Sequence, residues 1–360
     1  MDCPVFRLTA DAILRARGRY EVARLDRQAP ARCQLRILLG LVHKARATTF
    51  GRQHDFRRIR TEADFRRLVP LRSPSELERL QPTPGAGKRA HREAFHAAWR
   101  TALGFVGGAR PHGRLLSGQL IFLGDGGLFD RAALPRLVRP YAMMGCGAAT
   151  PELLARTPVT CLAGSAEGID SLLAGVKAFT GRDRPSELWP GLTAVLHTRR
   201  SVADDPAPRL RESLGERVLL LETRFLPGGP VAVEDPRRGC PLLLFDHGVY
   251  FEFTPAEEAG APTPTRHGLG ELEPGVVYEM VMSSPAGVWA CRTGMAVRFE
   301  RRDPPLLRFV ETPIAGPARR VVVIRPACPT QAPHRQIAGT PAAPPEKLVH
   351  TPWSTRADRG

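Results

Sequence analysis

The stretch that decides the fold is "LGELEPGVVYEMVMSSPAGVWACRTGMAVRFERRDPPLLRF", residues 269–309. Runs of aliphatic, aromatic and β-branched residues alternate in it with Gly, Pro and Asp, a pattern typical of short strands joined by tight turns. Within it, "VWACRTGMAVRF" (288–299) predicts a strand, a turn at Gly294 and a second strand, with Met295 at the mouth of the hairpin. Similar runs begin at residue 230, so the sequence predicts an antiparallel sheet or half-barrel there.

In the middle of the chain, the sequence pattern predicts strands that alternate with helices. Apolar runs at 114–124, 158–164, 192–198 and 217–223 predict strands, and "AEGIDSLLAGVKAF" after Ser165 and "APRLRESLG" predict helices. Strands and helices alternating at this spacing indicate a parallel or mixed sheet covered by helices. The fold class is therefore predicted to be α/β, with mixed sheets, flanking helices and an antiparallel β subdomain.

Helical spacing in the N-terminal region predicts two helices within residues 10–47, broken near Ala29–Pro30. A large domain is expected over residues 1–312, with an α/β part at 1–229 and an antiparallel part at 230–312. Residues 313–360 contain nine prolines and little periodicity. This composition predicts a disordered tail.

The composition of the chain limits the classes of protein to which it can belong. The 360-residue chain is 42% hydrophobic, yet it holds no apolar run near the length of about 18 residues that a membrane span needs. The seven cysteines form no metal or disulfide pattern, so we expect a reduced, cytoplasmic protein. The net charge is +16, but 48 of the 52 basic residues (52 − 4 lysines) are dispersed arginines. With no nucleic-acid motif present, a solvated basic surface is favoured over a nucleic-acid groove.

Three collinear stretches resemble one family. These are "TTFGRQHDFRRIRTEADFRRLVPL" (48–71), "LAGSAEGIDSLL" with "ELWPGLTAVL", and "GVYFEFTP" followed by the stretch quoted first. They are similar to the Gretchen Hagen, or auxin-responsive promoter, family of acyl-acid amido synthetases, which belongs to the adenylate-forming superfamily. The resemblance covers roughly residues 30–310. It implies the fold of the large N-terminal domain of such enzymes, which use ATP and Mg²⁺ to form an acyl-adenylate and then transfer the acyl group to an amine.

The resemblance also implies where a nucleotide would bind, and the chain departs from the family there. Arg292-Thr293-Gly294-Met295 stands at an Arg-x-Gly-Asp motif, with methionine in place of the aspartate that holds the ribose. A thioether is at best a weak acceptor. Phe225 keeps the aromatic position of the adenine segment, but Pro227-Gly228-Gly229 replaces Ser/Thr-Glu-Gly and its magnesium carboxylate. The family's phosphate loop is shortened to a remnant ending at Lys88, and its C-terminal lid domain, with the lysine it supplies, has no counterpart.

The candidate nucleotide-binding residues implied by the resemblance are therefore Lys88, Phe225, Gly229, Glu252, Arg292 and Gly294. Three of them have simpler interpretations. Lys88 can belong to a flexible turn before a helix, Glu252 can face solvent from its strand, and Arg292 can form an ion pair with a neighbouring strand. No catalytic or metal-binding residue is assigned.

Three functional hypotheses remain open from the sequence. The first is a family member with degraded ATP-dependent acyl activation, whose partners would be a small carboxylic acid and an amino acid. The second is a non-catalytic relative that binds a small molecule or a protein, with no cofactor. The third is a basic nucleic-acid-associated protein, although nucleic acid and membrane are not the expected partners. The oligomeric state is left open.

Overall fold

The computed structural model describes residues 4–75, 86–124, 131–145, 150–198, 202, 205–259 and 261–311. The strands within these ranges are, in chain order, β1 Gln119–Leu123, β2 Ala142–Met144, β3 Val159–Ser165, β4 Ala194–Thr198, β5 Leu219–Leu226, β6 Gly229–Asp235, β7 Cys240–Leu243, β8 Tyr250–Pro255, β9 Val277–Ser284, β10 Val288–Arg301 and β11 Leu306–Val310. They follow one another across the sheet in the order β2-β1-β3-β4-β5-β6-β7-β11-β10-β9-β8.

The sheet changes character at β5. The neighbours β2-β1-β3-β4-β5 run parallel, and those from β5 through β6, β7, β11, β10 and β9 to β8 run antiparallel. Residues 219–222 of β5 pair with β4, and residues 223–226 pair with β6. The predicted α/β fold with a mixed sheet is confirmed, and one strand joins its parallel and antiparallel parts.

The helices of the described chain are α1 Pro4–Arg27, α2 Pro30–Ala45, α3 Thr49–Gln53, α4 Glu62–Leu68, α5 Ala86–Ala109, α6 Pro151–Ala155, α7 Ala166–Thr180, α8 Pro185–Leu188 and α9 Ala207–Leu214. The predicted break between the first two helices is confirmed, because Pro30 fits the first turn of α2, where its missing N–H is not needed. Ser165 caps α7 by accepting from the Gly168 N–H at 3.1 Å. Thr61 and Asp64 form a capping box at the start of α4.

Three apolar clusters hold these elements together. The largest, here called the main core, packs α5 and part of α1 against strands of both parts of the sheet. A second cluster lies between strands β1 and β3–β5 and the helices α7 and α9. The third covers the other face of β8–β10 with α2 and α4, where Trp289 packs against Phe50, Phe56 and Phe65. Each strand of β8–β10 therefore has one face on the main core and the other under the N-terminal helices.

Two glycines set the distance between α1 and α5. A Cβ built on Gly18 would lie 2.5 Å from the Gly104 Cα, and one built on Gly104 would lie 3.0 Å from the Gly18 Cα. Because the backbones touch at this crossing, neither position accepts a side chain without a shift of a helix. The close contact at this crossing packs α1 against α5 and the main core.

The predicted hairpin at Gly294 is wrong. β10 runs without a break from Val288 to Arg301, and its turn into β9 lies earlier, around Gly287. Between Arg292, which pairs with Val281, and Ala296, which pairs with Glu279, the strand bulges away from β9. Gly294 supplies the backbone of the bulge with φ +70°, a conformation that glycine adopts without steric cost. The glycine therefore marks a bulge rather than a chain reversal.

The tail predicted over 313–360, and the domain boundary before it, lie outside the described residues. Within those residues, no helix combines the length and hydropathy required to cross a membrane.

Candidate functional site

The bulge in β10 determines where the residues of the Arg-x-Gly-Met segment point. Thr293 is buried, and its hydroxyl donates to the Met280 carbonyl at 2.8 Å and accepts from the Met295 N–H at 3.2 Å. Gly294 is exposed at the outside of the bulge, with no atom within 4 Å of a built Cβ. The Met295 side chain is partly buried and packs on the main core. This position therefore presents a thioether to apolar neighbours and offers no acceptor to a sugar hydroxyl.

Arg292 is already occupied by partners within the chain. Its Nε donates to Oε2 of Glu279 on β9 at 2.8 Å, and its Nη2 donates to the same oxygen and to the carbonyl of Ala259. Glu279 is only 2% exposed. The interpretation of Arg292 as one half of an ion pair with a neighbouring strand agrees with this geometry. An incoming phosphate or carboxylate would have to displace a buried carboxylate.

Phe225 and Gly229 lie at the two ends of the β5–β6 turn. The Phe225 ring is 5% exposed and meets Phe95 and Trp99 of α5 edge to face, with centroids 5.7 and 5.4 Å apart. Gly229 has φ +152°, and a Cβ built on it would lie 2.7 Å from Cγ2 of Val249. The aromatic ring is part of the main core, and the glycine is required by a close approach of two chain segments.

Glu252 lies on β8, on the face that the N-terminal helices cover. Its carboxylate is 1% exposed and pairs with Arg266 at 2.7 Å, and Nε of Arg66 lies 3.7 Å from its second oxygen. Burial raises the pKa of this carboxyl, and the Arg266 guanidinium offsets part of that rise. The residue is thus neither on a solvent face nor at a cleft but inside a buried ionic cluster, which Glu62 and Glu271 join through Arg66.

Lys88 lies in the first turns of α5, which begins at Ala86, and its side chain is exposed. The residue was expected to end a loop, whereas it belongs to the helix. The rest of the proposed loop remnant, residues 83–85, lies outside the described residues.

The sheet brings some of these residues together and keeps others apart. Glu252 and Arg292 both pair with Val281, from opposite sides of β9, so they share one face of the sheet. Phe225 belongs to the core on the other face. Sequence reasoning missed Arg66, Arg266 and Glu279 as partners of these groups. Only the period-2 alternation that puts Glu279 on the face of Val281 was a visible signal.

Two regions of the chain match models of known domains. The family model for the GH3 family N-terminal domain matches residues 20–80, and the family model for the GH3 family central domain matches residues 242–312. The second match contains β8–β11 and their bulge. These two regions of the chain are therefore similar to two domains of the GH3 family. A sequence comparison with the curated proteins finds no significant match.

Solved structures show that this chain has the fold of adenylate-forming ligases. The acyl acid amido synthetase AtGH3.15 in complex with 2,4-DB superposes with a TM-score of 0.60 at 12% identity, over 81% of this chain and 70% of that one. An open conformation of 2-hydroxyisobutyryl-CoA ligase, in complex with 2-HIB-AMP and CoA, gives 0.55 at 15% identity, over 76% and 72%. At these identities the likeness concerns the fold alone.

At the positions that the resemblance assigns to the metal and the ribose, this chain carries no acidic side chain. In the part of the chain that the structure describes, no three or more His, Cys, Asp and Glu side chains converge in a way that could hold a metal ion. Pro227, Gly228 and Gly229 contribute no carboxylate at the position where the family places one, and Met295 contributes none near the ribose. Magnesium requires hard oxygen ligands, which these positions do not offer.

Proposed function

We propose that this chain is a GH3-family protein descended from acyl-acid amido synthetases in which ATP-dependent acyl activation has been lost. One observation carries the proposal. At the ribose position, Met295 packs on the main core, and Arg292 beside it is held by Glu279 and by the Ala259 carbonyl. A carboxylate that accepts two hydroxyl hydrogen bonds contributes about 1.5–3 kcal/mol for each bond. Losing both would remove most of the affinity for a nucleoside.

Two further features support the same proposal. Phe225 is packed edge to face within the core, so its ring has no free face for a base. The turn after it contains proline and two glycines instead of a glutamate. If any activation remained, the reaction would be adenylation of a small carboxylic acid, with an amino acid as acceptor. The four described cysteines, which are buried and free, support a reduced, cytoplasmic setting.

ATP–pyrophosphate exchange tests the proposal. The full chain is incubated with radiolabelled pyrophosphate, ATP, Mg²⁺ and a panel of aromatic and fatty carboxylic acids, with AtGH3.15 and its ligand 2,4-DB as the parallel reaction. We expect no exchange with this chain and no rise in melting temperature on adding ATP and Mg²⁺. Exchange above the protein-free background with any acid of the panel would refute the loss of activation.

A repaired variant tests which defects matter. Met295→Asp together with Gly228→Glu restores both acidic groups that the family motifs contain. We expect no exchange from it, because Arg292 stays bonded to Glu279 and Phe225 stays in the core. Strong exchange by this variant would mean that the two acidic groups alone were missing and that the remaining architecture is competent.

A further inference from the structure

Helix α1 presents a second apolar face that nothing in the described chain covers. Its inner face, with Ala10, Leu14, Gly18 and Leu25, packs on α5 and the main core. Its outer face carries Phe6, Ile13 and Tyr20, which are 48%, 44% and 69% exposed. A surface helix of a globular protein normally has one apolar stripe and one polar face. This helix has two apolar stripes.

The outer residues have the spacing of a coiled-coil seam. Phe6, Ile13 and Tyr20 are seven residues apart, and the positions three residues after each of them are small. We call these six residues the outer stripe: Phe6, Thr9, Ile13, Ala16, Tyr20 and Ala23. Large residues at one heptad position with small ones at the other create knobs and holes that accept a second helix. The outer stripe therefore has the pattern of a helix-packing surface.

Charge indicates what kind of helix fits. Arg17 and Arg19 flank the outer stripe on its two sides, are exposed, and make no hydrogen bond or ion pair within the described residues. In coiled coils these flanking positions choose the partner through opposite charge. A second copy of α1 would place arginine opposite arginine, in a chain whose net charge is +16. An acidic partner would pair with both flanks.

We propose that the outer stripe docks an amphipathic helix of another protein, with apolar residues at heptad spacing and glutamate or aspartate on its flanks. The apolar residues of the partner would cover Phe6, Ile13 and Tyr20, and its carboxylates would neutralise Arg17 and Arg19. Apolar burial supplies the affinity, and the charges select acidic over basic helices.

A synthetic peptide serves as the probe. It has the length of α1, Leu and Ala at the two seam positions and Glu at the flanking positions, and it carries a fluorophore for anisotropy titration against the full chain. Two control peptides keep the length: one scrambles the same residues, and the other replaces Glu by Lys. We expect the acidic heptad peptide to bind at least about tenfold more tightly than either control.

Protein variants then locate the site. Ile13→Ser combined with Tyr20→Ser leaves the charge unchanged and should weaken peptide binding at least about tenfold. Arg17→Gln with Arg19→Gln should weaken it and flatten its dependence on salt. Phe179→Ser is the matched control, because Phe179 is 49% exposed on α7, and it should bind like the unmodified chain. Circular dichroism melting verifies that each variant is folded.

Four outcomes would overturn the proposal. They are absence of binding by the unmodified chain, equal binding of the scrambled peptide, unchanged binding by the Ile13/Tyr20 variant, and an equal loss in the Phe179 variant. Two other occupants of the outer stripe would give different experimental results. Dimerisation in sedimentation that the Ile13/Tyr20 variant abolishes would assign the outer stripe to self-association. The chain can also be tested for flotation with phosphatidylserine-containing vesicles. Flotation of the unmodified chain, its loss in the Ile13/Tyr20 variant and the absence of peptide binding would together assign the outer stripe to a lipid surface.

Discussion

Arg292 on β10 and Glu279 on β9 form a buried ion pair, with Nε of the guanidinium 2.8 Å from Oε2 of the carboxylate. The pair spans the bulge that separates Arg292 from Ala296, so it joins the two strands where their regular pairing is interrupted. A structural ion pair between neighbouring strands therefore holds the Arg292 guanidinium in place.

The first prediction concerns that pair. Glu279→Gln keeps the shape and one acceptor oxygen but removes the charge opposite Arg292, so we expect the free energy of unfolding to fall by about 1–3 kcal/mol. Glu300→Gln is the control, since Glu300 lies on β10, the strand of Arg292, is 41% exposed, and pairs with Arg308 at 3.0 Å. It should cost less than about 1 kcal/mol. Urea unfolding measures both, and equal effects would contradict a special role for the buried pair.

The second prediction concerns Met295. Met295→Leu conserves volume and should cost less than about 1.5 kcal/mol, whereas Met295→Asp places a carboxylate against the main core and should cost about 1–3 kcal/mol. Thermal melting with and without ATP and Mg²⁺ measures both effects. We expect neither variant to be stabilised by the nucleotide, and a clear rise in the melting temperature of Met295→Asp with ATP would show that the chain still binds the nucleotide.

The third prediction is a pH dependence. His247 is buried, its Nε2 lies 2.9 Å from the Thr101 hydroxyl, and burial lowers its pKa from 6.5 to about 3. Below pH 6.5 the unfolded chain binds a proton at this residue that the folded chain does not, so stability is lost as the pH falls toward the folded pKa. The loss attributable to this residue approaches about 1.4 kcal/mol per pH unit.

His247→Gln tests that slope, because glutamine keeps a hydrogen-bonding group but does not titrate. Between about pH 7 and pH 5, its free energy of unfolding should fall less steeply than that of the unmodified chain, whatever its absolute value. His112→Gln, at an exposed position, should leave the slope unchanged. Parallel slopes for the His247 variant and the unmodified chain would rule out this residue as a source of acid sensitivity.

The fourth prediction concerns the crossing of α1 and α5. Gly104→Ala pushes a methyl group to 3.0 Å from the Gly18 Cα and should cost about 1–3 kcal/mol. Gly108→Ala lies in the same helix with open space around its Cβ, and alanine's higher helix propensity should stabilise it by up to about 1 kcal/mol. Denaturant midpoints that move in the same direction for both variants would argue against a backbone contact at this crossing.

Much of the fold follows from local patterns. The break near Ala29–Pro30 and the helix after Ser165 are found as predicted, because a proline in a first turn and a serine cap are short-range features. The hairpin at Gly294 failed for a physical reason. A glycine with positive φ serves a turn and a bulge equally well, and only the pairing of β10 with β9 and β11 decides between them.

The amino-acid sequence by itself determined the alternation of strands and helices in the middle of the chain and the mixed α/β class, because periodicity and residue identity are local properties. Only the tertiary structure decided that Arg292 is held by Glu279, that Glu252 lies in a buried ionic cluster, and that α1 leaves one apolar face exposed. Each of these depends on which distant segments meet, and the alternation of a single strand or helix does not specify its neighbour.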